Sequence, residues 1–387
     1  MTTLTPISYE GRVAKLRAGM QRANLKALVV SRAASIYYTA GCYFHPFRPG
    51  AAVIIPLEGD VMIVARAVDL GRLPYETWIR EIRPWVGWQT NSLPETSFEK
   101  AVVDALRSAK CTSGRIGIEI GMDQEPGRLA PGTLDNLLAG PEFVDASKIL
   151  DHVMMRKEPQ EILLLKKAAA IADVGARAAL DSIRPGMRET EVAGAAEFAM
   201  RQAGAEWYMA GTTVASGFRA AYAFAGEPVP TDNLLQRGDV VHLDFTPVYK
   251  LYLGDHIAMA VLGEPNREQA ELAKVVESIT EEYLDKFRVG AVVADIDRFA
   301  RQAKTKAGFG QYDCWINGHG MGLAPRTPPY FTPNDKTVLE ADMVLELVLQ
   351  IHPPKIGGMA LEFAVHITDS GPVPLNKTPR RLHVVAG

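Results

Sequence analysis

Five side chains able to hold a hard divalent cation sit in stretches otherwise too apolar for them. Asp244 closes the run Val240 to Leu243 within GDVVHLDFTPVYKLYLGD, and Asp255 ends that segment eleven residues later. His319 lies in NGHGMGL, Glu346 in DMVLELVLQIH and Glu362 in GGMALEFAVHIT. A carboxylate taken out of water without a counter-charge is costly. Carboxylate oxygens with one imidazole suit one or two divalent ions such as Mn, Fe, Co or Zn, and a pair of ions can activate a shared water. Taken singly, each acid reads equally well as a capped or ion-paired residue and His319 as a core histidine. The five together point to a metal centre.

The elements that must position these residues are buried strands preceded by helices. Val240 to Leu243 reads as a buried strand, and a second run rich in Tyr and Leu leads to Asp255. Upstream, Pro159 suits the first turn of a long helix continuing through Ile162, Leu165 and Ala169. That helix opens a second domain, which sets the domains at 1–152 and 153–387. Within the second domain, Ile183 to Ala199 echoes Phe287 to Ala303, each a glycine turn followed by a helix and then by ligand-bearing strands. In the first domain a helix is expected from Tyr9 to Ala23. Short strands are expected at Leu25 to Val30, Ile36 to Thr39, Ala51 to Ile55, Val61 to Ala65 and Arg115 to Ile120, with a hairpin turn at Leu57 to Asp60. Helical patterns at Phe98 to Ser108 and Leu134 to Leu138 alternate with these strands, which predicts a small α/β domain.

In order and in neighbours, the five positions resemble the pita-bread metallopeptidase family of methionine aminopeptidase, Xaa-Pro aminopeptidase and prolidase. The resemblance is strong from about Arg156 onward and looser before it. It implies an α+β protein whose C-terminal pita-bread domain follows a smaller, creatinase-like α/β domain. It further implies that Asp255 and Glu362 bridge two ions, that Asp244 is bidentate on one ion and His319 with Glu346 on the other, and that Glu346 serves as general base.

Several positions depart from that family. Phe224, seven residues after Gly217, stands where the peptidases have a proton-shuttling histidine, and Arg326 stands where they have a second histidine, seven residues after His319. The motif beginning at Asp255 reads Asp255-His256-Ile257-Ala258-Met259, without the family's threonine. Ala215-Ser216-Gly217-Phe218-Arg219, Phe224 and Pro46-Phe47-Arg48 resemble the metal-dependent dimethylsulfoniopropionate lyase of this fold, although Thr246 and Pro325 replace its further acids. Arg48 corresponds to a substrate-carboxylate arginine delivered from the partner subunit in creatinase. It could equally form a surface ion pair. Arg326 could cap carbonyls or meet a carboxylate or phosphate with its planar fork. His352, six residues after Glu346, could restore proton transfer or be structural. His242 and His256 flank ligands and read as packing residues, while Trp207, Tyr208, Tyr222 and Phe224 divide between core and pocket wall.

At 387 residues, 47% hydrophobic and 22% charged, the chain can bury two cores. A net charge of −3 gives no reason to expect nucleic acid or an anionic membrane as partner. The three cysteines, Cys42, Cys111 and Cys314, form neither a disulfide framework nor a zinc knuckle, which fits the cytoplasm. No run approaches the roughly 18 apolar residues of a membrane span, and the N-terminus reads as unprocessed. The expected protein is a soluble cytoplasmic homodimer that hydrolyses a C–N bond in a small carboxylate-bearing, dipeptide-sized substrate, as Xaa-Pro peptidases do. Two alternatives stand beside that reading: a non-peptidase metalloenzyme of the same fold, acting as a lyase or by oxidative C–X cleavage, and a catalytically inactive binding module.

Overall fold

The computed structural model describes residues 7–45, 50–87, 96–120, 129, 131–222, 229–313 and 315–386. The chain forms two compact units, Met1–Met154 and Met155–Gly387, against an expected boundary at 152/153.

In the first unit the elements run α1 (Tyr9–Arg22), β1 (Leu25–Val30), α2 (Ala33–Ala40), β2 (Ala52–Pro56), β3 (Met62–Arg66), α3 (Leu73–Glu76), β4 (Glu81–Trp85), α4 (Phe98–Ser108), β5 (Gly114–Ile118), α5 (Pro131–Asp135), β6 (Pro141–Asp145) and α6 (Ser147–Met155). The strands make one mixed sheet in the order β4-β3-β2-β1-β5-β6. Alternation along β1 sends Leu28 and Val30 to a core shared with Val13, Leu16 and Met20 of α1, and Ala27 and Val29 to a core shared with Val102 and Leu106 of α4.

One expected strand is a helix. Ile36 to Thr39 has strand-like residues but lies inside α2, because the backbone there is closed at both ends by partners outside the segment. The carboxylate of buried Glu119 accepts the N–H groups of Ser31 and Arg32, each at 2.9 Å, at the helix start. At the other end Gly41 adopts φ +79 and returns its N–H to the Tyr37 carbonyl at 2.9 Å.

The second unit runs α7 (Pro159–Ser182), α8 (Glu189–Gln202), β7 (Trp207–Ser216), β8 (Val240–Tyr249), β9 (Tyr252–Leu253), β10 (His256–Leu262), α9 (Arg267–Leu284), α10 (Val293–Lys306), β11 (Gly318–Gly320), β12 (Thr327–Tyr330), β13 (Val344–Ile351), β14 (Met359–Thr368), β15 (Gly371–Pro374) and β16 (Leu382–Val385). Among the described residues these strands form one sheet with the path β12-β11-β13-β14-β10-β8-β7. Helices cover one face in two pairs. α7 and α8 pack on Val241, Leu243, Phe245, Ala258 and Ala260, whereas α9 and α10 pack on Leu345, Leu347, Leu361 and Phe363.

The internal repeat recurs in backbone hydrogen bonds. Gly186 N–H donates to Leu235 O and Leu235 N–H to Met187 O; Gly290 N–H donates to Leu339 O and Leu339 N–H to Ala291 O, all at 2.8 Å. Both glycines have positive φ, +82 and +87, and each turn leads three residues on into α8 or α10. The two halves thus share a turn that pins a helix start to a later strand-bound segment. The expected ligands on β8, β13 and β14 alternate with the residues that pack on these helices, and so lie on the opposite face of the sheet.

Candidate metal centre

Residues opposite one another in an antiparallel pair point to the same face, as do residues two apart on one strand. The register therefore aligns Asp244 with Ile257, Ile257 with Glu362 and Glu362 with Val348, across β8, β10, β14 and β13. Two residues along β13, Glu346 pairs with Ala364 on one side and with His319 of β11 on the other. Asp255 precedes Ile257 by two residues in the short link from β9. That link is pressed onto α7: a Cβ on Gly254 would lie 2.3 Å from the Ala168 carbonyl oxygen, so only glycine fits. All five expected ligands thus share one face of one sheet.

Asp255, His319 and Glu362 are the tightest group, with one ligand atom from each lying within 4.8 Å of the others. His319 Nδ1 lies 3.0 Å from the Gly320 carbonyl, which can only accept, so the proton sits on Nδ1 and Nε2 keeps its lone pair. That Nε2 is 3.5 Å from Glu362 Oε1. Glu346 and Asp244 flank the group. Glu346 is fully buried, and neither carboxylate oxygen has a hydrogen-bond partner among the described residues.

Burial pushes the carboxyls of Asp255 and Glu362 up to about 7; Glu362 raises Asp255 further, while Arg326 opposes both shifts. Glu346 is held well above the usual carboxylate range by burial, then by Asp255, Glu362 and Asp244. Burial lowers His319, with Asp255 opposing. Acids raised and an imidazole lowered on the same face describe negative charge gathered without compensation. Divalent cations fit this donor set, since they would give both Glu346 oxygens and the His319 lone pair partners the protein does not provide.

Beside the row, His352 Nε2 lies 2.9 Å from Gln350 Oε1 and its ring is 6.3 Å from that of His242. Burial lowers His352 to about 4, with the Ala220 carbonyl opposing, and lowers His242 to about 3, helped by His352. Both are neutral near pH 7. Gly358 is obligatory here, because a Cβ would come 2.1 Å from His352 Nδ1 and 2.5 Å from Ala220 O. His256 faces away from the row, its Nδ1 2.8 Å from the Glu362 carbonyl oxygen. Thr246, on the face of Asp244, donates its hydroxyl to Gly211 O at 2.9 Å.

Arg326 sits just before β12 with its Cζ 5.2 Å from the centre of the Trp315 ring. No local feature of the sequence points to Trp315 as its platform, since the contact arises only when the eleven-residue separation is folded back through β11. Arg48 and Phe224 lie outside the described residues, as does the side chain of Tyr222.

The profile described as "Metallopeptidase family M24" matches residues 164–369, and "Creatinase/Prolidase N-terminal domain" matches residues 12–155. The Xaa-Pro dipeptidase of Pyrococcus horikoshii is 28% identical over 374 residues, covering 96% of this chain and 98% of that one. The Xaa-Pro dipeptidase of Pyrococcus furiosus is 29% identical, covering 96% and 99%. Among solved structures, the prolidase from Pyrococcus horikoshii OT3 aligns with a TM-score of 0.80 at 26% identity, covering 96% of this chain and 99% of that one. These relatives carry peptidase names, and none of those named here is a lyase. With its creatinase-type N-terminal domain and pita-bread C-terminal domain, the chain belongs to metallopeptidase family M24.

Proposed function

We propose that this centre hydrolyses the C–N bond of Xaa-Pro-type dipeptides, or of small carboxylate-bearing compounds like them, in a metal-dependent reaction. The observation that carries the reading is Glu346, a fully buried carboxylate with no hydrogen-bond donor among the described residues, set directly opposite His319. Asp244, Asp255, His319, Glu346 and Glu362 would hold one or two Mn, Fe, Co or Zn ions. Once bound, such ions supply an activated water and a polarised carbonyl.

The chain's own groups do the remaining work. Glu346 takes the proton of the attacking water, a role its burial and its carboxylate neighbours favour. The Gly320 carbonyl keeps the His319 proton on Nδ1, so Nε2 stays a ligand. His352, neutral and near the row, would deliver a proton to the leaving nitrogen, a role supported by its lowered pKa and its place beside His242. Tyr222 and Phe224 would wall the pocket, and Arg48 would reach it across a cytoplasmic homodimer. Since Phe224 cannot carry a proton, turnover should be about 10²- to 10⁴-fold slower than in a peptidase with histidine there.

The test is a panel of Gly-Pro, Ala-Pro, other dipeptides and small betaines, assayed with each metal and with chelator. Chelator-sensitive hydrolysis confined to Xaa-Pro dipeptides is the expected result. Turnover of betaines without dipeptide hydrolysis overturns the reading in favour of a lyase. For the homodimer, mixing Arg48→Ala with Asp255→Ala subunits should restore part of the activity; inactivity after demonstrated subunit exchange overturns it.

A further inference from the structure

His319 is flanked on β11 by Gly318 and Gly320, so the strand has no other side chain to hold it in place. A Cβ on either glycine would strike backbone, 2.6 Å from the Glu346 carbonyl oxygen and 2.2 Å from that of Pro328. The anchor is the residue before the strand, Asn317, which is fully buried. Its carbonyl accepts the Val348 N–H of β13 at 3.1 Å and the Tyr283 hydroxyl of α9 at 3.0 Å. Its side chain reaches α10.

Asp297, Arg301 and Lys304 share one face of α10 by their spacing, and with Asp313 and Asn317 they close a ring of hydrogen bonds. Arg301 donates from Nε to Asp297 Oδ2 and from Nη1 to Asp313 Oδ2, each at 2.7 Å. Lys304 Nζ donates to Asp313 Oδ1 at 2.8 Å and to Asn317 Oδ1 at 2.6 Å, and Asn317 Nδ2 donates to Asp297 Oδ1 at 2.7 Å. Arg301 also donates to the Trp315 carbonyl at 3.3 Å, so the strap leading into β11 is held at Asp313, at residue 315 and at Asn317. Two cations face two anions. Because arginine and lysine can only donate, the Asn317 amide has a single orientation in the ring.

The other half of the unit makes the same packing without charge. The repeat that matches Gly186 with Gly290 matches Ala193 with Asp297 and Met200 with Lys304, and Ala193 and Met200 belong to the apolar core of α7 and α8. Apolar contact thus suffices to seat a repeat helix on the sheet, and a buried ionic network adds little stability over it. What the ring adds is direction, since each hydrogen bond sets a distance and an angle. It stands in the half that supplies His319, and none of its members takes part in the mechanism above.

We propose that Asp297, Arg301, Lys304, Asp313 and Asn317 are positioning residues, a ring that places β11 so that His319 Nε2 meets a metal ion held with Asp255 and Glu362. The proposal rests on the metal-centre reading above and extends it, by assigning the strength and geometry of the His319 bond to side chains behind the ligand. Partners that orient a metal ligand from behind typically change metal affinity by about 10- to 100-fold.

Cobalt(II) titrated into the metal-free protein reads both quantities, affinity by calorimetry and ligand geometry by visible absorption. Lys304→Met copies the side chain found at the matching repeat position and leaves Asp313 paired with Arg301. It should raise the cobalt dissociation constant by about 10- to 100-fold and shift the absorption bands. Lys304→Arg, which still donates, should recover most of the affinity. Glu189→Ala, which disturbs the other half of the unit, should weaken the fold and leave cobalt affinity and bands at their wild-type values. Wild-type affinity and bands in folded Lys304→Met overturn the proposal. Equal weakening in Glu189→Ala overturns it too, because a merely structural role predicts that result. If Lys304→Met does not fold, Asp313→Asn, which keeps the shape of the ring and removes one charge, decides by the same readouts: a weaker cobalt complex with shifted bands sustains the proposal, and an unchanged one overturns it. A wild type that binds no cobalt removes the metal-centre reading itself and the proposal with it, whereas a wild type that binds cobalt as tightly as Lys304→Met removes the proposal alone.

Discussion

Two glutamates in the second unit are equally buried, at 0% exposure, and their surroundings are opposite. Glu189, in the first turn of α8, is saturated. Its Oε1 accepts the Ser216 N–H at 2.8 Å, the Ser216 hydroxyl at 2.9 Å and Arg219 Nε at 3.2 Å, while Oε2 accepts the Thr231 N–H at 3.1 Å and its hydroxyl at 2.9 Å. Glu346, on β13, has no donor among the described residues. The difference follows from where each sits. A helix start favours negative charge, and the segments around residues 216 and 231 bend in with donors. β13 lies between β11 and β14, so the backbone amides around Glu346 are spent on the ladder. A buried carboxylate ringed by donors is part of the scaffold, whereas one in mid-sheet among other carboxylates calls for a cation.

The sharpest way to break this contrast is to neutralise both glutamates. Glu346→Gln should lower Xaa-Pro hydrolysis by about 10³-fold or more and reduce bound metal, while leaving the metal-free protein folded. Full activity in that variant would place the chemistry elsewhere. Glu189→Ala should do the reverse: it strands Arg219 and several buried donors, and should cost about 3 to 5 kcal/mol in chemical denaturation with metal stoichiometry unchanged. A metal loss on that substitution, in protein still folded, would erase the distinction.

A smaller effect is expected at Gly358. Its Ala variant must displace His352 or the Ala220 carbonyl, an overpacking that typically costs about 1 to 3 kcal/mol. Turnover should fall with metal content intact. Unchanged turnover in a variant whose His352 environment has demonstrably shifted would remove His352 from the mechanism.

The least effect per step, and the finest test, is the pH dependence of the metal-free protein. Asp255 and Glu362 are raised in the fold to about 7, so between the ordinary carboxylate range and pH 7 the folded state binds more protons than the unfolded chain. Stability must then fall as pH rises through that window, by at most about 1.4 kcal/mol per unit for each group. Melting scans of metal-free protein from pH 5 to pH 7, ~2 units inside that window, should show the decline, and added metal should stabilise most at the upper end. A melting temperature that rises with pH in the metal-free form would contradict the uncompensated charge.

The gathering of the five expected ligands on one sheet face was legible because Asp244, Glu346 and Glu362 each interrupt an apolar strand, a local feature that survives without knowledge of the fold. The repeat was legible for a similar reason: Gly186 and Gly290 each mark a turn before a helix. α2 was not, since Glu119, the acceptor at its start, lies more than 80 residues along the chain from Ser31. The edge strands β4 and β6 escaped notice because Glu81–Trp85 and Pro141–Asp145 are largely half-buried or exposed and lack a clean apolar alternation. The Arg326–Trp315 contact depends on β11 folding one segment back over another. Arg48 and Phe224, both named from sequence, lie outside the described residues.

The central claim is that Asp244, Asp255, His319, Glu346 and Glu362 form a divalent metal centre, and elemental analysis of protein purified after metal supplementation tests it most directly. Between about one and two equivalents of divalent metal per chain should be bound, falling sharply in folded Asp255→Ala protein. Less than about a tenth of an equivalent in the folded wild type would contradict the account, because the buried carboxylates would then persist without the cation that their burial demands.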